Sequence, residues 1–383
     1  MKLLHTSDLH IGKRVNEFSM IEDQEYILKE ILKIVDEHQP QGILIAGDIY
    51  DKGVPCVEGV ILFDWFLTEL HKRELAIFMV SGNHDSSERI NFGGKIMEEN
   101  QIYIAGAFEG KLEKVTLTDE HGLVNIYLMP FVKPAMVRRY FPDREITSYQ
   151  EAVEAVLDSV IIDRSERNLL VAHQFITYQE MEPERSDSET ISLGGLDNID
   201  ASVFDAFDYV ALGHIHGPQK IGRDTIRYAG SPLKYSFSEV RQKKSVTMIE
   251  MRTKGQVSYE LIPLIPMRDM REIKGPIAAL TDPSVYCKGN TLDYIHATLT
   301  DEDEIYDAIG KLRSIYPNIM RLDFDNSRSA WNGDAKLAAM DVEKKSSMEL
   351  FEEFFANQNN ITMTDKQRSI MLNLFEEMVG ELS

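Results

Sequence analysis

The stretch Ile43-Leu44-Ile45-Ala46-Gly47-Asp48-Ile49-Tyr50-Asp51 decides how this 383-residue chain is read. An apolar run without a polar break reads as a strand buried on both faces, the pattern of a parallel α/β sheet. Gly47 ends it, and Asp48 follows where the chain leaves the sheet. A carboxylate there stands at the carboxyl end of a buried strand, where open α/β sheets build their sites. Taken alone, Gly-Asp is also an ordinary turn dipeptide. Recurrence along the chain decides between the two.

Lys2–Ser7 reads as a strand and runs into Asp8-Leu9-His10. Leu75–Val80 empties into Ser81-Gly82-Asn83-His84-Asp85, Asn168–Ala172 into His173, and Asp208–Leu212 into Gly213-His214-Ile215-His216. Between these strands the spacing predicts helices over Glu17–His38, Cys56–Lys72 (with Val60, Leu67 and Leu70 inward), Ser86–Glu99 and Ser148–Asp163. Val115–Leu117 and Val124–Met129 read as a hairpin, and Ser245–Met251 with Val257–Pro263 as a closing pair of strands. Tyr178–Asn198, polar and acidic, reads as a long mobile loop beside the site.

The formal charge of −22 makes the chain a poor non-specific binder of nucleic acid, because Lys and Arg supply most of that affinity. A nucleic-acid substrate then needs compensating charge from bound metal or a partner. An acidic enzyme acting on a small phosphorylated substrate is the simpler alternative. Cys56 and Cys287 lie far apart and read as packing residues, which suits a reducing cytoplasm. The opening Met-Lys-Leu-Leu-His-Thr-Ser-Asp does not read as a secretory signal, and no apolar run is long enough to cross a bilayer.

The strand-end groups are Asp8, His10, Asp48, Asn83, His84, His173, His214 and His216, which take in five of the ten histidines. Singly, each histidine reads as a satisfied core or surface residue and Asp48 as a turn cap. Together, imidazole, carboxylate and amide oxygen without thiolate suit Mn, Fe or Zn. Eight groups are too many for one ion and fit two. A pair of ions about 3.5–4 Å apart can clamp a phosphoryl group and activate water against it. A carboxylate bridges such ions best, and Asp48 is the candidate.

Asp8-x-His10, Gly47-Asp48-x-x-Asp51, Gly82-Asn83-His84-Asp85, His173 and Gly213-His214-x-His216 resemble, in that order, the signature of the calcineurin-like metallophosphoesterases. The opening through Lys13, Ala46-Gly47-Asp48-Ile49-Tyr50-Asp51 and Tyr228-Ala229-Gly230-Ser231-Pro232 further resemble the nuclease subunits of bacterial SbcCD-type complexes. The resemblance implies a sandwich of two mixed sheets flanked by helices over residues 1–265, a small α+β capping domain over 266–325, a linker over 326–340 and a C-terminal helix pair over 341–383. It implies that Asp8, His10 and His216 hold one divalent ion, most often Mn2+, that Asn83, His173 and His214 hold the other, and that both share Asp48. His84 would contact the scissile phosphate, oriented by Asp51. Lys13, Arg14 and Arg89, just past the ligand loops, are candidate DNA contacts, each of which reads equally well as surface charge.

The same resemblance implies cleavage of double-stranded DNA ends from the 3′ side, nicking of single strands or hairpins, a cytoplasmic role in DNA repair, recombination and replication, and a homodimer within a heterotetramer. The partner would be an SbcC-like SMC-type ATPase. Near the C terminus, Phe351, Phe354, Phe355, Ile370, Leu374, Phe375 and Met378 form apolar stripes on two helices, the second opening on a capping box at Thr364. They either pair with each other or dock on the partner, which leaves less apolar surface exposed. A phosphatase or small-molecule phosphodiesterase of the same superfamily, and a metal-free scaffold, are the competing readings.

Overall fold

Along Gly42–Ala46 every residue is buried, and alternate side chains serve two different layers. Ile43 and Ile45 face a core shared with Ile27, Ile31 and Val35 of the helix Ile21–His38 and with Phe66 and Leu70 of the helix Val57–His71. Leu44 and Ala46 face the other way, onto Ile126, Leu128, Leu169 and Val171 of a second sheet. A computed structural model describes residues 1–179, 181–189 and 197–326, with 348, 351–352, 355, 363–364, 366–368 and 370–371.

The first sheet has six strands. Lys2–Thr6, Gly42–Ala46, Ala76–Val80 and Ile102–Ala105 are parallel, and Ser245–Met251 and Val257–Pro263 add antiparallel beyond Lys2–Thr6. The second six-stranded sheet runs parallel through Gly122–Met129, Arg167–His173, Tyr209–Gly213 and Arg223–Tyr228. Antiparallel Glu113–Asp119 and Gln219–Ile221 close its edges. The helix Tyr149–Leu157 covers its outer face through Ala152, Val153 and Val156. The result is a helix–sheet–sheet–helix stack.

Several local readings change. The first helix begins at Ile21, not Glu17, because Asn16 and Glu17 take φ of 44° and 70° and turn a small hairpin, Arg14–Val15 with Phe18–Ser19. Ser86–Glu99 is two short helices, Ser87–Ile90 and Gly94–Glu98, parted by Gly93 in a left-handed conformation. The helix after Ser148 opens on a capping box with Glu151 and stops at Leu157, well short of Asp163. On Val57–His71 the buried side is Gly59, Leu62, Phe63, Phe66 and Leu70, so Val60 points outward beside Val57 and Ile61. That segment is apolar nearly all round, and its pattern alone does not choose a face. Both cysteines are exposed rather than packed, Cys56 at the start of that helix. The polar segment after Tyr178 is partly interior: Ser186 and Glu189 are buried.

Beyond residue 265, Met270–Gly275, Tyr294–Leu299 and Ile319–Phe324 form a parallel three-stranded sheet. Ile277–Leu280 is a helical turn, and Asp307 caps the helix Ala308–Arg313. Ile295, Ala297, Leu299, Leu312 and Tyr316 give this module its own core. Arg268 ties it to the first helix through Asp23 (2.9 Å) and Glu22, and the Tyr294 hydroxyl donates to Asp23 at 2.6 Å. Of the C-terminal stripe, Phe351 and Phe355 are half-buried and Ile370 is exposed. Phe354, Leu374, Phe375, Met378 and linker residues 327–340 lie outside the described residues. The Thr364 hydroxyl and Gln367 side chain form their reciprocal cap.

Candidate metal centre

Asp8, His10 and Asp48 follow their strands with φ of 52°, 44° and 48°, and His214 takes 105°. Such angles are uncommon outside glycine and concentrate at functional sites. The Asp8 N–H donates to the Gly47 carbonyl and the His10 N–H to the Asp48 carbonyl, which joins the two loops. Ends of strands from both sheets then meet closely. A Cβ on Gly47 would collide with the His173 ring, and one on Gly213 with the Ala46 carbonyl.

In that space the strand-end groups converge. His10 Nε2 lies 3.1 Å from His216 Nε2 and 3.6 Å from Asp48 Oδ2. His173 Nε2 lies 3.3 Å from Asp48 Oδ2 and 3.0 Å from Asn83 Oδ1. His214 Nδ1 is also 3.0 Å from Asn83 Oδ1. Asp8, His10 and His216 form one tight group and Asp8, Asp48 and His173 another. The Asp8 carboxylate accepts from the Ser7 hydroxyl (2.5 Å) and the His214 N–H (3.0 Å). His173 Nδ1–H donates to the Ala46 carbonyl at 2.8 Å, which leaves Nε2 facing the centre.

The electrostatics follow from burial and from the company kept. Burial pushes the Asp8 carboxyl up and the imidazoles of His10 and His214 down, His214 to about 3. Burial would also lower His173, but Asp48 beside it wins and raises it to about 9. Burial likewise opposes ionisation of Asp48, yet His173 and His10 hold its carboxyl well below the usual range. Among the described residues no Lys or Arg pairs with Asp8 or Asp48. Buried carboxylates without a Lys or Arg partner, ringed by facing imidazole nitrogens, fit divalent cations.

His84 donates its backbone N–H to Asp48 Oδ1 (2.9 Å), and its ring meets His10 edge-on at 4.8 Å between centroids. Its Nδ1 pairs with the backbone carbonyl of Asp51 at 2.9 Å. The Asp51 carboxylate does not reach it, because Lys13 takes that group at 2.7 Å, 3.9 Å from His10 Nδ1. Lys13 is thus an ion-pair partner first. The Arg14 guanidinium donates to the Glu17 carbonyl, and that of Arg89 to Gly53 O at 2.5 Å.

Several contributors carry little or no signal in the sequence. The Asp85 carboxylate, pushed up to about 6 by burial and by Asp48, accepts the N–H groups of Gly82 (2.9 Å), Tyr50 (2.9 Å) and Ile49 (3.1 Å). It ties the Asn83 loop to the Asp48 loop, and its place in Gly-Asn-His-Asp was the available signal. Phe131 and Phe175 pack against His214 with centroids 6.5 Å and 6.2 Å away. Ser188, Glu189 and Glu239 surround His216 with no local sequence signal.

Residues 1–218 match the calcineurin-like phosphoesterase family, and residues 266–359 a family described as type 5 capsule protein repressor C-terminal domain. The D subunit of nuclease SbcCD from Staphylococcus epidermidis is 34% identical over 373 residues, 96% of this chain and 95% of its own length. Among solved structures, TT1561 of Thermus thermophilus aligns with a TM-score of 0.41 at 10% identity over 68% of this chain and 98% of that one. A dimetal phosphatase from Danio rerio gives 0.38 at 11% over 69% and 99%. Scores this low add nothing to the assignment. The family match across the strand-end motifs and the near-full-length identity agree: the chain belongs to the calcineurin-like phosphoesterases, in the family of the D subunit of nuclease SbcCD.

Proposed function

We propose that this chain is the nuclease subunit of an SbcCD-like complex and hydrolyses DNA phosphodiester bonds with two divalent ions, most often Mn2+. The observation that carries the reading is the convergence of His10, His173 and His84 on the single carboxylate Asp48, from both sheets. Asp8, His10 and His216 would hold one ion, Asn83, His173 and His214 the other, and Asp48 both. When bound, such ions polarise water for attack and neutralise charge on the cleaving phosphate. The chain's own residues do the rest. The Ala46 carbonyl keeps His173 Nε2 turned inward. The Asp51 carbonyl accepts the His84 Nδ1–H and orients that ring, whose imidazolium form would supply a proton to the departing oxygen.

In this reading the enzyme degrades double-stranded ends 3′ to 5′ and nicks single strands and hairpins, in cytoplasmic DNA repair, recombination and replication. Residues 1–265 act as the nuclease domain, 266–325 as a cap, and 326–340 as a linker. Residues 341–383 dock on an SMC-type ATPase that controls access, with two nuclease chains per heterotetramer. Metal and partner supply the positive charge that a chain of −22 lacks. That acidity also favours the rival reading, a phosphatase or small-molecule phosphodiesterase. Digestion of a blunt, end-labelled duplex with Mn2+, with and without the ATPase subunit and ATP, beside a phosphopeptide assay, separates them. Release from the 3′ ends with an untouched phosphopeptide is expected; the reverse pattern overturns the nuclease assignment.

A further inference from the structure

His216 offers one ring nitrogen to the centre and keeps the other for a buried polar chain. Its Nδ1 lies 2.7 Å from Ser188 Oγ, which is 2.5 Å from Glu239 Oε1. Glu239 is fully buried, and its Oε2 takes the Lys244 ammonium at 2.6 Å. That ammonium, itself buried, also donates to the His216 carbonyl (2.9 Å), Ser231 Oγ (2.9 Å) and Gln242 Oε1 (2.8 Å). Glu189 accepts the His216 backbone N–H at 2.8 Å. We propose that Ser188 and Glu239 are positioning residues that hold His216 in the tautomer with its Nε2 lone pair free, and so set the affinity of the ion held with Asp8 and His10. The inference rests on the two-ion reading above.

Counting donors leaves one arrangement. Glu239 Oε2 lies 2.6 Å from the Lys244 ammonium, and a carboxylate held in that ion pair can only accept. Ser188 must therefore spend its hydroxyl proton on Glu239. Its oxygen is then left to accept, so the proton between it and His216 sits on Nδ1. A neutral ring carrying hydrogen at Nδ1 has its lone pair at Nε2, the atom that faces His10 Nε2 at 3.1 Å. Outer partners of this kind fix the tautomer and orientation of a ligating histidine. The backbone bond to Glu189 and the Lys244 bond to the His216 carbonyl fix the loop that carries the ring. Removing the Ser188 hydroxyl takes the acceptor from Nδ1 and leaves the fold's apolar cores alone.

The test uses the full chain, with nitrogen-15 imidazole spectra of the metal-free protein and calorimetric Mn2+ titration of Ser188→Ala and Ser188→Thr. In the wild type the His216 signals should report hydrogen on Nδ1 and two ions should bind. Ser188→Ala should shift the ring toward the other tautomer and weaken one of the two ions about 10–100-fold, leaving the second unchanged. Ser188→Thr, which keeps the hydroxyl, should restore both readouts. Glu239→Gln strands a buried ammonium and endangers folding, so the serine pair carries the decision. Wild-type tautomer and affinities in Ser188→Ala overturn the inference, as does equal weakening of both ions together with a lower melting temperature. A wild-type chain that binds fewer than two ions overturns the two-ion reading itself, and this inference with it.

Discussion

His173 and His216 both turn Nε2 toward the centre, yet they are aimed by different means. The His173 ring is fixed by a backbone carbonyl, Ala46 O at 2.8 Å, which the packing of one sheet on the other delivers. The His216 ring is fixed by side chains, Ser188 and beyond it Glu239, drawn from the segments before and after it in the chain. Their charges differ as well. In the metal-free protein Asp48 raises His173 to about 9, whereas burial lowers His10 beside His216. One flank is thus rigid by topology and holds a proton that must leave. The other is neutral at His10 and rigid only while a polar chain stays intact.

The largest expected effect joins the two flanks. Asp48→Ala removes the carboxylate that both share and should abolish Mn2+-dependent cleavage, below about one-thousandth of wild type, with bound metal lost on atomic analysis. If one full-strength ion survives, the flanks are independent and the comparison breaks. His84→Ala lies on the His10 side but outside the proposed ligands. It should retain metal and lose about 10²–10⁴-fold in turnover. Normal turnover would remove His84 from the chemistry.

A smaller, more local loss is expected for Asp85→Asn, which keeps one of two oxygens facing three backbone donors on the loops of Asn83 and Asp48. Stability should fall by about 1–3 kcal/mol in urea unfolding, with His216 unaffected. The smallest effect is a proton count. His173 is raised from 6.5 to about 9, so its pairing with Asp48 stabilises the metal-free fold fully below pH 6.5 and is lost as pH rises through about 9. Ion binding must displace that proton. At pH 7 about one proton should be released per chain, with affinity rising toward pH 9. Calorimetry in buffers of unequal ionisation enthalpy measures it, and a count of zero would erase the charge difference between the flanks.

Much of the strand framework was readable because it is local. A four- to six-residue apolar run ended by a polar cluster announces itself wherever it occurs, as at Ile43–Ala46 and Ala76–Val80. Helix faces and ends were less readable. Val57–His71 is apolar on nearly every side, and its packing against the sheet decides that Val60 faces out and Phe66 in. Asp51 shows the same limit in the site. Its spacing from Asp48 suggests a partner for His84, but the carboxylate has turned to Lys13 and only its carbonyl serves the ring.

By itself, the order of residues determined the strands that lead into the site and that carboxylates and imidazoles stand at their ends, since this rests on neighbours along the chain, whereas the Arg14–Val15 hairpin with Phe18–Ser19 and the edge strand Ile102–Ala105 did not show in it. Only the packing of one sheet on the other decided which of those groups touch, what charge each carries, and that Ser188, Glu239 and Lys244 stand behind His216. The reason is physical: burial and hydrogen-bond partners are properties of what surrounds a group in space, and here the decisive neighbours lie up to about 200 positions away, as His10 and His216 do.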